Sequence, residues 1–159
     1  MTISRKFKIP LSIFICLLVG FLSGISTADS ISGWYKTLEK PFFNPPNWIF
    51  GPVWTLLYTL MGVAVGLVWR ADHSGTEKKV AISVFIAQLA VNGLWSIFFF
   101  GMQNPVLAFV DIIILLILIG FTIKLFKPIN RIASRLLYPY LAWVSFATVL
   151  NLSLIILNN

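Results

Sequence analysis

Five long apolar windows constrain this chain more than any motif does. They fall at about 9–28, 48–69, 80–100, 106–126 and 136–157. Crossing the hydrocarbon of a bilayer takes roughly 20 apolar residues of helix, and each window is that long. Inside lipid the backbone must satisfy its own N–H and C=O groups, so each span has to be helical. The composition agrees: 58% of residues are hydrophobic and 11% charged, against about half and a quarter in soluble domains. The expected fold class is therefore an all-α membrane protein. It is a five-transmembrane-helix bundle with a long ordered loop between helices 1 and 2, forming one domain over 1–159 with no internal repeat or soluble appendage.

The formal charge of +7 could point to nucleic acid, but its distribution argues otherwise. Arg5, Lys6 and Lys8 precede span 1; Arg70, Lys78 and Lys79 lie between spans 2 and 3; Lys124, Lys127, Arg131 and Arg135 mark the turn from span 4 to span 5. Only Lys36 and Lys40 fall on the other side, a split of ten against two. The positive-inside rule then predicts a multi-pass protein of the cell membrane, its N-terminus cytoplasmic and its C-terminus and first loop extracytoplasmic. The basic residues report topology rather than a nucleic-acid partner, with the bilayer itself as the partner and anionic headgroups as a possible contributor. The N-terminal stretch also has the layout of a signal peptide, ending in the small residues Ser26-Thr27-Ala28. Its apolar run is longer than the 7–15 residues of a signal core, so it is read as a retained span.

Cys16 is the single cysteine, which excludes an internal disulfide, and the single histidine, His73, lies in a loop. With no histidine in any span and no second cysteine, no transition-metal site is expected, and no cofactor.

Polar groups inside a membrane are costly and each needs a reason. Helical spacing sorts those present into stripes. Gln88, Asn92, Trp95 and Phe99 fall at i, i+4, i+7 and i+11 of span 3; Tyr140, Trp143, Ala147 and Asn151 form a second stripe on span 5. Trp54, Tyr58, Gly62 and Gly66 recur every fourth residue of span 2. Each helix thus offers one face to a bundle interior. At about 1.5 Å per residue, Asp111 and Asn151 lie roughly 9 Å, and Asn92 roughly 12 Å, below the loop-1 end of their spans. The opposite half is almost wholly aliphatic, which predicts a cavity closed there and opening, if anywhere, beneath loop 1. That loop contains Lys40-Pro41 and Asn44-Pro45-Pro46, whose prolines keep the preceding residues extended. Trp34, Tyr35, Phe42, Phe43, Trp48 and Phe50 give it apolar surface, as for a lid; an aromatic belt at headgroup depth is the alternative.

Three spaced patterns now carry a resemblance: "WY..LEKP.F.PP..IF...W..LY", "Q.A.NGLWS..FF" and "LYPYLAW..FA..LN". In this order they resemble the tryptophan-rich sensory protein / translocator protein (TspO, peripheral-type benzodiazepine receptor) family, over about residues 34–151. The resemblance implies a five-helix protein, usually a homodimer, with a pocket under the first loop for porphyrins such as protoporphyrin IX. It implies as ligand contacts Tyr35, Pro45, Trp54, Tyr58, Asn92, Trp95, Asp111, Trp143, Phe146 and Ala147. It departs from animal relatives at the C-terminus, where "ATVLNLSLIILNN" lacks the tyrosine and basic residue of their cholesterol motif.

Asp111 has three readings: accepting hydrogen bonds from a facing indole or amide, contacting ligand nitrogens, or relaying protons. Gly20-x-x-x-Gly24 and Gly62-x-x-x-Gly66 permit close helix approach, read as packing within one chain rather than between chains. The leading functional expectation is a binding and sensory protein for porphyrins and other flat aromatic ligands. The alternative is an enzyme degrading porphyrin with light and oxygen, with Trp54 and Trp143 as the redox-active pair. Neither a nucleophile with its base nor a metal site is apparent, which argues against hydrolytic catalysis. A tetrapyrrole transporter is the third reading, disfavoured by the aliphatic half and the lack of inverted repeats.

Overall fold

The computed structural model describes residues 4–159 except Ser74, and the side chains of these except Ser26. Ser26 of the small-residue motif therefore lies within a helix whose course is described, but its side chain is outside the description. Five helical stretches are long and apolar enough to cross a membrane, as expected from the five windows. Helix α1 spans Lys8–Ser32, α3 Asn47–Arg70, α4 Thr76–Ser96, α5 Pro105–Ile129 and α7 Tyr138–Leu157. Two short helices, α2 (Trp34–Thr37) and α6 (Arg131–Leu136), stand at opposite ends of the bundle.

Side chains and prolines set the boundaries. Asn104 caps α5 by accepting from the Leu107 amide at 2.9 Å, with Pro105 opening the helix. Asn130 does the same for α6 through the Ala133 amide, just after Pro128 in the last turn of α5. Such caps satisfy N–H groups that have no partner within the helix. Pro139 has no N–H to continue α6, and it opens α7 instead. The single predicted span at 136–157 is therefore a break at Leu137 followed by α7.

The end of α4 also departs from expectation. Ile97–Gly101 winds as a π turn, closed by the Met102 amide on the Ile97 carbonyl at 2.8 Å. The wider turn buries the consecutive rings of Phe99 and Phe100. π turns recur at functional sites, and this one abuts the cavity described below.

Helices α1 and α3 pack tightly at the basic end and part at the loop end. A Cβ on Gly62 would lie 2.4 Å from Ile13 Cα, and one on Gly66 2.8 Å from Ile9 Cα. One on Gly20 would strike the Tyr58 ring at 2.5 Å, whereas one on Gly24 meets nothing within 4 Å. The glycine spacing thus packs within the chain, as expected, but Gly24 takes no part. At the basic end Arg5 pairs with Asp72 at 2.8 Å, and Lys8 donates to the Trp69 carbonyl at 3.3 Å. The N-terminal segment and the α3–α4 loop therefore share one side, as the charge split requires.

The core below mid-bundle is formed by buried residues such as Met61, Ala64, Leu115, Ile119 and Val144. It is not wholly aliphatic: Phe85 and Phe126 stack there at 5.9 Å. A second buried cluster at the loop end joins Tyr35, Phe99, Phe100, Ala108, Leu150 and Leu154.

Candidate ligand cavity

Between these two clusters lies a cavity of about 580 Å³. Small-molecule sites run from about 300 to 1,000 Å³, mostly apolar with a few placed polar groups. Tyr35 from α2 closes its top. Helix α3 contributes Phe50, Trp54 and Tyr58; α4 and its π turn contribute Asn92, Trp95, Ser96, Phe99 and Phe100; α7 contributes Trp143, Ala147, Leu150 and Asn151. Seven of the ten residues implied as ligand contacts are thus brought to one surface: Tyr35, Trp54, Tyr58, Asn92, Trp95, Trp143 and Ala147.

The other three lie elsewhere. Pro45 is half-buried in the loop, its carbonyl accepting from the Asn44 side chain at 3.1 Å. Phe146 packs edge-on to Phe43 at 6.2 Å, joining loop to α7. Asp111 is buried on α5 behind the wall, and its Oδ2 has no hydrogen-bond partner among the described residues. The indole or amide partner expected for it is not found. Trp95 instead donates its indole N–H to Asn151 Oδ1 at 3.2 Å, and Asn151 donates to the Pro105 carbonyl at 2.9 Å. The Trp143 indole N–H is buried without a partner among the described residues.

The floor is a directed chain of hydrogen bonds. Tyr58 Oη donates to Asn92 Oδ1 at 2.7 Å; Asn92 Nδ2 donates to Tyr140 Oη; Tyr140 donates to Gln88 Oε1 at 2.9 Å. All four residues are buried. Buried polar groups are expensive unless paired, and here each hydroxyl and the Asn92 amide find partners on another helix. The consequence for the cavity is a single amide, that of Asn92, held in a fixed orientation at its base.

The roof is pinned rather than loose. Tyr35 donates to Asn44 Oδ1 at 2.9 Å, and the Lys40 ammonium sits 4.9 Å from the Tyr35 ring centroid. Burial pushes the Tyr35 phenol pKa up, with the Asn44 bond opposing it. Trp34 meets Phe99 edge-on at 5.6 Å. The Glu39 amide donates to Asn158 Oδ1, and Asn158 Nδ2 donates back to the Glu39 carbonyl, both at 2.9 Å. The loop is thereby fastened to the end of α7. Tyr35 is buried and Trp34 and Phe43 pack against the second cluster, while Phe42 and Trp48 are exposed.

Sequence reasoning missed the wall from α1, which presents Leu17, Gly20, Ser23, Gly24, Thr27, Ala28 and Ile31. The signal was available: positions 20, 23, 24, 27 and 28 are all small and share one helical face.

Five spanning helices, four of which (α1, α3, α4 and α7) line an aromatic cavity under a fastened loop, define a small polytopic membrane protein with an interior cavity of ligand size. The model of the TspO/MBR family matches residues 12–157, and the chain belongs to that family. It is 45% identical to the Tryptophan-rich protein TspO of Archaeoglobus fulgidus, over 95% of this chain and 97% of that protein. It is 41% identical to the human Translocator protein, over 74% of this chain and 70% of that protein. Against the Tryptophan-rich sensory protein of Cereibacter sphaeroides it is 38% identical, over 79% and 77%. The matched range takes in most of α1, the helix that supplies the unexpected wall.

Proposed function

We propose that this protein binds porphyrins of the protoporphyrin IX type, and similar flat aromatic molecules, in the cavity beneath loop 1. One observation carries the reading: Trp54, Trp95 and Trp143 line a single 580 Å³ space whose base bears one fixed amide, Asn92. Indole faces suit a planar π system, and one oriented amide suits the polar centre or edge of such a ring. In this reading the protein sits in the cell membrane as a homodimer with its basic end cytoplasmic. Binding rather than turnover is its primary activity.

Photo-oxidative degradation of the bound porphyrin is a second reading, supported by the presence of both Trp54 and Trp143 in that wall. Light would supply the excitation and molecular oxygen the oxidant. Absorbance of protein-bound protoporphyrin, followed in parallel in light and in darkness, separates the two. A stable spectrum in both arms supports binding alone. Loss in light beyond that of free porphyrin, with none in darkness, supports degradation.

A further inference from the structure

We propose that the cavity is entered sideways, from the membrane, through a slot between the loop-end halves of α1 and α3. The inference rests on the porphyrin reading for its ligand, but its geometry stands independently.

The two helices form a wedge. Gly62 and Gly66 bring α3 against the α1 backbone at Ile13 and Ile9, and Gly20 receives the Tyr58 ring. Toward the loop end the glycines lie open: a Cβ on Gly24 of α1, or on Gly51 of α3, meets nothing within 4 Å. Both glycines line the cavity and both are exposed, as are Phe21 and Thr55 beside them. Residues that belong at once to a cavity wall and to the outer surface mark an opening. This one lies along the flank of two spanning helices, where the surroundings are acyl chains.

The chemistry of the rim suits that environment. Thr27 Oγ1 donates to the Ser23 carbonyl at 2.9 Å, and Thr55 Oγ1 to the Gly51 carbonyl at 2.9 Å. Each hydroxyl is turned back onto its own helix, leaving no donor unsatisfied in lipid. A flat hydrophobic molecule partitioned into the bilayer can pass edge-on between the two glycines. The roof offers no comparable route, since Tyr35–Asn44, Phe43–Phe146 and the double Glu39–Asn158 link all have to break first.

The test uses the full chain in lipid vesicles with protoporphyrin IX preloaded into the bilayer, read by quenching of tryptophan fluorescence. Gly24→Phe and Gly51→Leu place side chains in the open space of the slot. Both variants should slow association and dissociation together, at least tenfold each, whereas a substitution that only weakened the site would leave dissociation unchanged or faster. Asn158→Ala, which unfastens the roof, should leave both rates near wild type. Unchanged rates in the two glycine variants, with faster association in Asn158→Ala, would overturn the slot. A second arm needs no porphyrin. Ser96→Cys, within the cavity wall and combined with Cys16→Ala, should react with a membrane-partitioning alkyl maleimide and be protected by Gly24→Phe. Reaction with a sulfonated maleimide at the same rate, unaffected by Gly24→Phe, contradicts the slot. Failure of the wild type to bind porphyrin refutes the proposed function instead, and leaves the labelling arm to judge the slot.

Discussion

Tyr58 on α3 donates a 2.7 Å hydrogen bond to Asn92 on α4, and the Asn92 amide passes the link to Tyr140 on α7. Three spanning helices are thus joined at one level by groups whose alternative is an unpaired dipole in a dry interior. The same bonds orient the one amide at the base of the cavity, so stability and recognition share a structure here.

Removing either phenol should therefore cost stability unequally. Tyr58→Phe leaves Asn92 Oδ1 short of its donor. Tyr140→Phe deprives both Asn92 Nδ2 and Gln88 Oε1. Interhelical hydrogen bonds in membranes average about 0.6 kcal/mol, and an orphaned buried group costs about 1–3 kcal/mol. The expected loss is about 1 kcal/mol for Tyr58→Phe and about twice that for Tyr140→Phe. Reversible unfolding in mixed micelles measures both, and equal losses would contradict the directed chain.

The packed and the open glycines of α1 and α3 should behave in opposite ways. Gly62→Ala places a Cβ 2.4 Å from backbone of α1, which cannot rotate away, so the helices must separate at a cost of about 1–3 kcal/mol. Gly24→Ala meets open space and should stabilise α1 by about 0.5–1 kcal/mol through helix propensity. Melting temperatures of the two variants check this, with shifts of opposite sign expected.

How much of this was legible in the sequence follows from what periodicity can and cannot encode. The stripe through Gln88, Asn92 and Phe99 was readable because costly buried polar groups at helical spacing admit few explanations. The α1 wall was not readable in the same way. Gly20, Ser23, Gly24, Thr27 and Ala28 satisfy close packing and cavity lining equally well, and only the splay of α1 from α3 decides between them. The π turn at Ile97–Gly101 leaves no mark in spacing, since it inserts its extra residue within an apolar run. Asp111 was singled out by depth, and depth does not specify which way a side chain on α5 turns.

Ser32, exposed at the loop end of α1, tests the orientation. With Cys16 replaced, Ser32→Cys should react in intact cells with a membrane-impermeant thiol reagent. Labelling only after permeabilisation would reverse the assignment of the basic end to the cytoplasm.

Trp54→Phe and Trp143→Phe separate binding from degradation. Phenylalanine keeps much of the aromatic face, and such contacts are worth about 0.5–1.5 kcal/mol beyond burial. Affinity for protoporphyrin should therefore fall less than about tenfold. Indole is more easily oxidised than a phenyl ring, so light-driven loss of bound porphyrin should slow markedly if these residues take part. Normal binding with wild-type bleaching leaves the binding reading alone standing.

The 580 Å³ space between α1, α3, α4 and α7 is the porphyrin site we propose. Ala147 lines it midway along α7, and Ala147→Trp introduces an indole into the volume a ligand needs. The direct measurement is titration of protoporphyrin IX against purified wild-type and Ala147→Trp protein in the dark. Fluorescence quenching reports occupancy, and circular dichroism and melting temperature confirm that the variant is folded. Saturable binding at one porphyrin per chain is expected in the wild type, and at least a hundredfold weaker binding in the folded variant. Equal affinity in the two proteins, or quenching that rises without saturation in both, would contradict it.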